Sequence, residues 1–299
     1  MSTILSYTTV NRRKNNEDCC LAFTVKPYGK NNQPLIILLL ADGMGGHEFG
    51  ELMSRYSIET MSCLLTREFL AGSILPNSDN DDQQVQNIIS EETLYDIVVN
   101  ANRALREKMA ENGSDKGGST ISAAVVKGNS YCYVNLGDSL IYHWSFSENK
   151  LYKISDDHSV PGMMLKSGMI NEEQAHSHHL KHHLVYFMGI EDVPPLTELQ
   201  NTGSSILDSG DIIMLCSDGI CGDLKVEEID FLFKMHASDK ESLISELILA
   251  SRLKGQTDNQ SLILFGYQDK EDSIFMNQQV NLSEEMIRSL VKERFNKDK

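Results

Sequence analysis

No apolar stretch in the 299 residues approaches the roughly 18 needed to span a bilayer, which excludes a helical membrane anchor. Basic residues are scarce. The 27 Lys and Arg stand against 43 Asp and Glu, leaving a formal charge of −16. That balance argues against a nucleic-acid backbone or an anionic membrane surface as the main partner. There is no Cys-x-x-Cys pair among Cys19, Cys20, Cys63, Cys132, Cys216 and Cys221, and several of these lie inside strand-like apolar runs. They read as small buried hydrophobes in a reducing compartment, not as disulfides or zinc ligands. The first residues lack a basic segment followed by an apolar one, so no signal peptide is expected. A soluble cytoplasmic protein is the expectation.

What is present is ordinary for a globular chain: 40% hydrophobic and 23% charged residues, enough for one large domain or two modest ones. β-like runs fall at 19–25, 35–41, 119–126, 130–136, 139–146, 211–216 and 260–267. The run from Leu35 to Ala41 is continuously apolar, as in a strand covered on both faces. Helical patterning occupies about 48–70, 91–111, 225–236 and 240–253. Short turns such as Lys127-Gly128-Asn129 join the middle strands as antiparallel hairpins, so helices covering a two-sheet antiparallel core fit better than a parallel doubly wound sheet. The expected fold class is α+β.

Residues 72–90 read as an acidic loop, and 159–200 as an irregular segment with one short helix capped by Asn171 and Gln174. A domain of residues 1–267 would then be followed by a tail, 268–299, made of a polar linker and an amphipathic helix bearing Met286, Ile287, Leu290 and Val291. So short a helix needs a surface to pack on. Its own domain, a second copy or a partner protein could supply one, and none of these readings makes the tail necessary for chemistry.

Four stretches place an aspartate after an apolar run or beside glycine or asparagine: Ala41-Asp42-Gly43-Met44-Gly45-Gly46-His47, Gly137-Asp138-Ser139, Ser217-Asp218-Gly219 and Thr257-Asp258-Asn259. Glu17-Asp18 adds a fifth acidic point. Singly, each is an ordinary turn signal. Together they suggest carboxylates delivered by strand ends to one place, where unpaired buried charge costs several kcal/mol. A hard divalent cation with oxygen ligands is the usual compensation.

In order along the chain, Arg13-x-x-Asn16-Glu17-Asp18, Asp42-Gly43-Met44-Gly45-Gly46-His47, Gly118-Ser119-Thr120, Gly137-Asp138-Ser139, Asp157-His158-Ser159, Ser217-Asp218-Gly219 and Asp258-Asn259 resemble the metal-dependent protein phosphatases of the type 2C class. The glycine-rich form around Asp42 resembles the bacterial branch. The resemblance implies a β-sandwich of two antiparallel sheets flanked by helix pairs. It also implies two core Mn²⁺ or Mg²⁺ ions and a third, weaker position. Asp42 would bridge the two core ions, with the Gly43 carbonyl on one. Asp218 and Asp258 would hold the other, Glu17 would act directly or through water, and Asp138 with Asp218 would form the third position. Asp18 and Asn259 would support these ligands. Asp42 and Asp218 would be catalytic through the ions, and Arg13 would bind the substrate phosphate.

The implied reaction is hydrolysis of phosphoserine or phosphothreonine in proteins by metal-activated water. A serine/threonine kinase would be the counterpart, and a monomer is favoured over a dimer. An inactive phosphatase-like binding module and a hydrolase of small phosphate esters stay open as alternatives.

Two positions depart from the pattern. Leu140 stands where the bacterial motif carries arginine, and Met44 where animal members carry a histidine. Leaving-group protonation would then fall to water. His47 reads as structural. His176, His178, His179, His182 and His183 lie where the family has a mobile flap, and read as a substrate-facing flap or, less simply, as a metal-binding stretch.

Overall fold

The computed structural model describes residues 1–26, 33–45, 48–74, 90–113, 117–199, 201–269 and 276–297. Gly46, His47 and most of the acidic loop, 75–89, lie outside the described residues. The chain opens with β1 (Thr3–Thr9), β2 (Asp18–Val25) and β3 (Leu35–Met44), then the long helices α1 (Glu48–Ile74) and α2 (Glu91–Glu111). The middle strands are β4 (Gly118–Ser119), β5 (Ile121–Lys127), β6 (Ser130–Leu136), β7 (Leu140–Ser145) and β8 (Lys150–Lys153). Short helices α3 (Val160–Lys166), α4 (Glu172–His176) and α5 (Leu196–Leu199) lead to β9 (Thr202–Ile206) and β10 (Ile212–Cys216). Then come α6 (Asp218–Cys221), α7 (Val226–His236), α8 (Lys240–Leu253), β11 (Gln260–Gly266), β12 (Met276–Gln279) and α9 (Glu284–Lys297).

Two sheets stack face to face, one ordered β12-β1-β11-β10-β7-β8 and the other β2-β3-β5-β6-β9, with β4 beside β3. The alternation of β3 explains its unbroken apolar run. Leu35, Ile37, Leu39 and Ala41 pack under α1 and α2, while Ile36, Leu38 and Leu40 point into the core between the sheets. A separate core under α7 and α8 gathers Trp144, Met214, Phe233, Leu247 and Leu264. The four layers are therefore helix, sheet, sheet, helix.

Four strands escaped the reading by apolar runs. β1 is interrupted by Ser and Thr, β8 and β9 are short and polar, and β12 is Met-Asn-Gln-Gln. β12 also departs from an all-antiparallel sandwich, since it pairs with β1 in parallel. With α9 it seats the tail on this chain's own first sheet and α8, where Val280 and Ile287 are buried and Arg294 reaches Glu246 at 2.9 Å. Among the described residues no helix is long and apolar enough to cross a membrane.

Candidate active site

The strand register sets the site. Asp18 on β2 lies directly opposite Asp42 near the end of β3. Thr120 fixes that end: the Asp42 amide donates to Thr120 Oγ1 at 2.8 Å, and the Thr120 amide donates back to the Asp42 carbonyl at 2.8 Å. The next residue must be glycine. A Cβ on Gly43 would overlap the Gly50 carbonyl at the start of α1, and Gly50 in turn lies against the Glu17 carboxylate. The Gly43 amide donates to the Glu17 carbonyl at 3.0 Å, so Glu17, Asp42 and Gly43 form one backbone unit.

From the other sheet, β10 ends in Ser217, and Asp218 opens α6. Ser217 Oγ donates to Asp18 Oδ2 at 2.9 Å, tying the two sheets together at the site. The Asp258-Asn259 turn precedes β11. Asn259 is buried and accepts from the Glu17 amide at 2.8 Å, while its Nδ2 donates to the carbonyls of Val10 and Asn15. It therefore shapes the loop that carries Arg13. Asp138 follows the turn after β6, where the Gly137 amide donates to buried His158 Nδ1 at 3.2 Å. Burial pushes His158 down to about 4, so it is neutral.

These carboxylates disturb one another. Burial, Asp18, Asp218, Asp138 and Asp258 hold Asp42 well above the ordinary carboxylate range. Asp138 is also held well above it, by burial, Asp218 and Asp157. Burial and Asp258 raise Asp218 to about 7; burial first, and Asp258 against two serine hydrogen bonds, raise Asp18 to about 6. Among the described residues, Asp18 Oδ1 and Asp218 Oδ1 are buried with no hydrogen-bond partner. No three of His, Cys, Asp and Glu already converge on one point there, at the flap or at the carboxylates. Protein donors reach single acids instead: Ser217 Oγ on Asp18, and Arg13 Nη2 on Asp258 Oδ2 at 2.6 Å. Oxygen donors with orphaned lone pairs and mutual repulsion fit a hard divalent cation.

The sequence motifs thus bring Glu17, Asp18, Asp42, Gly43, Asp138, Asp218, Asp258 and Asn259 to one edge. Arg13, more than half exposed, stands at its mouth, paired to Asp258. Motif spacing did not reveal the Ser217–Asp18 tie or the Thr120 clamp, because a serine or threonine in a strand carries no partner signal. Of the flap histidines picked out in the sequence, His182 is the one near the acids, its Nδ1 3.8 Å from Asp218 Oδ2. That histidine comes from the flap, which Lys181 pins to Asp223 at 3.3 Å. A cleft of about 590 Å³ opens beside Asp138 and Asp218, lined also by Leu140, Tyr142 and the flap residues Lys181 and His182.

Helix-flanked double sheets with carboxylates gathered at one edge suit metal-assisted hydrolysis, and known proteins carry the same arrangement. Residues 11–248 match the family model described as Protein phosphatase 2C. The chain belongs to the protein phosphatase 2C family, whose members are metal-dependent serine/threonine phosphatases. It is 27% identical over 259 residues to the serine/threonine phosphatase Stp of Listeria welshimeri, covering 84% of this chain and 90% of that protein. It resembles the structure of serine/threonine phosphatase Stp1 from Staphylococcus aureus (TM-score 0.67, 26% identity, 89% of this chain and 94% of that one). It also resembles the catalytic domain of the phosphatase PstP in complex with two manganese ions (TM-score 0.63, 25% identity, 90% and 99% covered).

Proposed function

We propose that this chain hydrolyses phosphoserine and phosphothreonine in proteins at the acidic edge, with two core Mn²⁺ or Mg²⁺ ions and a weaker third. The single observation that carries this is the set of mutually repelling strand-end carboxylates, two of them with unpartnered buried oxygens. Asp42 and the Gly43 carbonyl would serve one ion, Asp218 and Asp258 the other, and Glu17 would stand beside them directly or through water. Asp138 with Asp218 would serve the third position. When bound, the cations supply Lewis acidity and lower the pKa of water, giving a nucleophile at neutral pH.

The remaining roles belong to the chain. Arg13 has the planar fork that fits two phosphate oxygens, and its exposure lets it exchange Asp258 for a phosphate dianion. Asp18 and Asn259 keep the ligand-bearing strands and loop in register. The flap and Leu140 border the cleft where residues flanking the phosphate would lie. No phosphorylated enzyme intermediate is required, so the cysteines are spectators. A serine/threonine kinase whose products are reversed here is the expected counterpart, and a monomer suffices for the chemistry.

The test is Mn²⁺-dependent phosphate release from a phosphothreonine peptide and from p-nitrophenyl phosphate. Turnover of both supports the proposal. Turnover of the small ester alone points to a small-ester hydrolase, and none on either points to a binding module.

A further inference from the structure

The tail carries a carboxylate that is joined to both halves of the site. Glu284, the first residue of α9, accepts from Arg252 Nη2 at 2.7 Å on one oxygen and from Arg252 Nη1 at 2.8 Å on the other. The Oε1 that takes Nη2 also accepts from Thr9 Oγ1 at 2.7 Å. Arg252 is 7% exposed, so its guanidinium depends on this fork for neutralisation.

Two chains of hydrogen bonds run on from there. Through Arg252, Nε donates to Gln260 Oε1 at 2.7 Å, and Gln260 Nε2 donates to Ser251 Oγ at 2.6 Å and to the Gly219 carbonyl at 3.1 Å. Gly219 directly follows Asp218 and is pressed so closely on the Asn259 carbonyl that a Cβ would not fit. Through Thr9, the Asn11 amide donates to Thr9 Oγ1 at 3.3 Å, and Asn11 Nδ2 donates to the carbonyls of Gln256 and Asp258 at 3.1 and 3.0 Å. One branch ends beside Asp218, the other on Asp258. These are the two carboxylates proposed above to share an ion.

We propose that Glu284 is a positioning residue for that ion: the tail helix sets the spacing of Asp218 and Asp258, and undocking it loosens the metal site. This rests on the assignment of Asp218 and Asp258 as ligands of one cation. It makes the tail part of the catalytic unit. The bidentate geometry is what transmits the constraint, since a single contact would let the guanidinium pivot. Partners that orient ligands from behind govern metal affinity over about ten- to a hundredfold.

The experiment is Mn²⁺ titration calorimetry on the full chain, with thermal melts in parallel. Glu284→Gln keeps the shape of the side chain but removes its charge, and should weaken the ion lost in Asp258→Asn by about tenfold while sparing the other tight ion. Thr9→Val cuts one branch and should weaken it less. Phe233→Leu, in the α7 core, should lower the melting temperature comparably and leave Mn²⁺ affinity unchanged. A cooperatively folded Glu284→Gln with wild-type affinity overturns the role of the tail, provided Asp258→Asn has lost the ion. If Asp258→Asn also keeps the ion, the ligand assignment falls, and the coupling with it. Equal weakening in Phe233→Leu would reduce the effect to general destabilisation and overturn the proposal.

Discussion

The two ends of the sandwich treat buried aspartate in opposite ways. β10 is flanked by Asp211 at one end and Asp218 at the other, a few residues apart on one segment. At the first end the Asp211 carboxylate lies 3.0 Å from His143 Nε2 and accepts from the amides of Phe146 and Asp208 at 2.8 and 2.9 Å. His143 Nδ1 lies 2.9 Å from the Tyr131 hydroxyl. Burial pushes Asp211 up, but these hydrogen bonds outweigh it and hold the carboxyl below its ordinary range. At the other end Asp218 has an orphaned oxygen and carboxylate neighbours, and it rises to about 7. A satisfied charge stabilises the fold, whereas an unsatisfied cluster marks the place where a ligand supplies what the protein withholds.

The largest contrast comes from removing each charge. Asp42→Asn or Asp218→Asn should lower phosphopeptide turnover by more than about a hundredfold at saturating Mn²⁺, exceeding the loss of a mere supporting partner. In chelator their melting temperatures should stay level or rise, because repulsion is relieved. A marked drop in chelator would place Asp218 among the structural charges with Asp211.

Metal itself sharpens the comparison. Mn²⁺ at a hundred times its dissociation constant should stabilise the wild type by about 2.7 kcal/mol for each tight ion in denaturant melts. That increment should shrink in Asp218→Asn and persist in Asp211→Asn. Asp211→Asn should meanwhile cost about 2 kcal/mol of stability with turnover intact, since it weakens charge-assisted hydrogen bonds far from the acidic edge.

Arg13→Ala should raise the KM for phosphopeptide by about tenfold or more, the worth of a bidentate charge-assisted contact. Unchanged steady-state kinetics would reduce Arg13 to a surface partner of Asp258.

The last contrast is in pH. The folded pKa of Asp218, about 7, lies above its ordinary value of 3.8, so the folded metal-free protein binds the proton more tightly than the unfolded chain. Its stabilising contribution is present below the ordinary value and is lost as pH rises through about 7. Asp211 has the opposite sign: its contribution is present above the ordinary range and is lost as pH falls through its depressed pKa. Melting temperatures in chelator, taken as wild type minus Asp218→Asn, should decline between about pH 4 and 7. A rising difference would contradict the assigned direction.

Much of this was legible in the chain. Period and apolar run length announced β3, β5, β6 and β10, and the acid-glycine pairs announced which acids meet at the candidate site, because strand ends near glycine deliver side chains to a sheet edge. The short polar strands β8, β9 and β12 carried no such signal, since their pairing depends on neighbours distant in sequence. Asp211 illustrates the same blindness. Asp211 and Asp218 flank the same strand, and only the amides and the imidazole brought in by the fold set the satisfied Asp211 apart from the proposed ligand Asp218.

Sequence alone determined the family, the two-sheet core and the identity of the clustered acids, because local periodicity and motif spacing are properties of the chain. Tertiary structure decided which oxygens remain unpartnered, that Arg13 faces Asp258, and that Glu284 reaches the site through Arg252 and Thr9. Those contacts join residues up to 275 positions apart. Each depends on burial and on a packed register, quantities that exist only once the chain has folded.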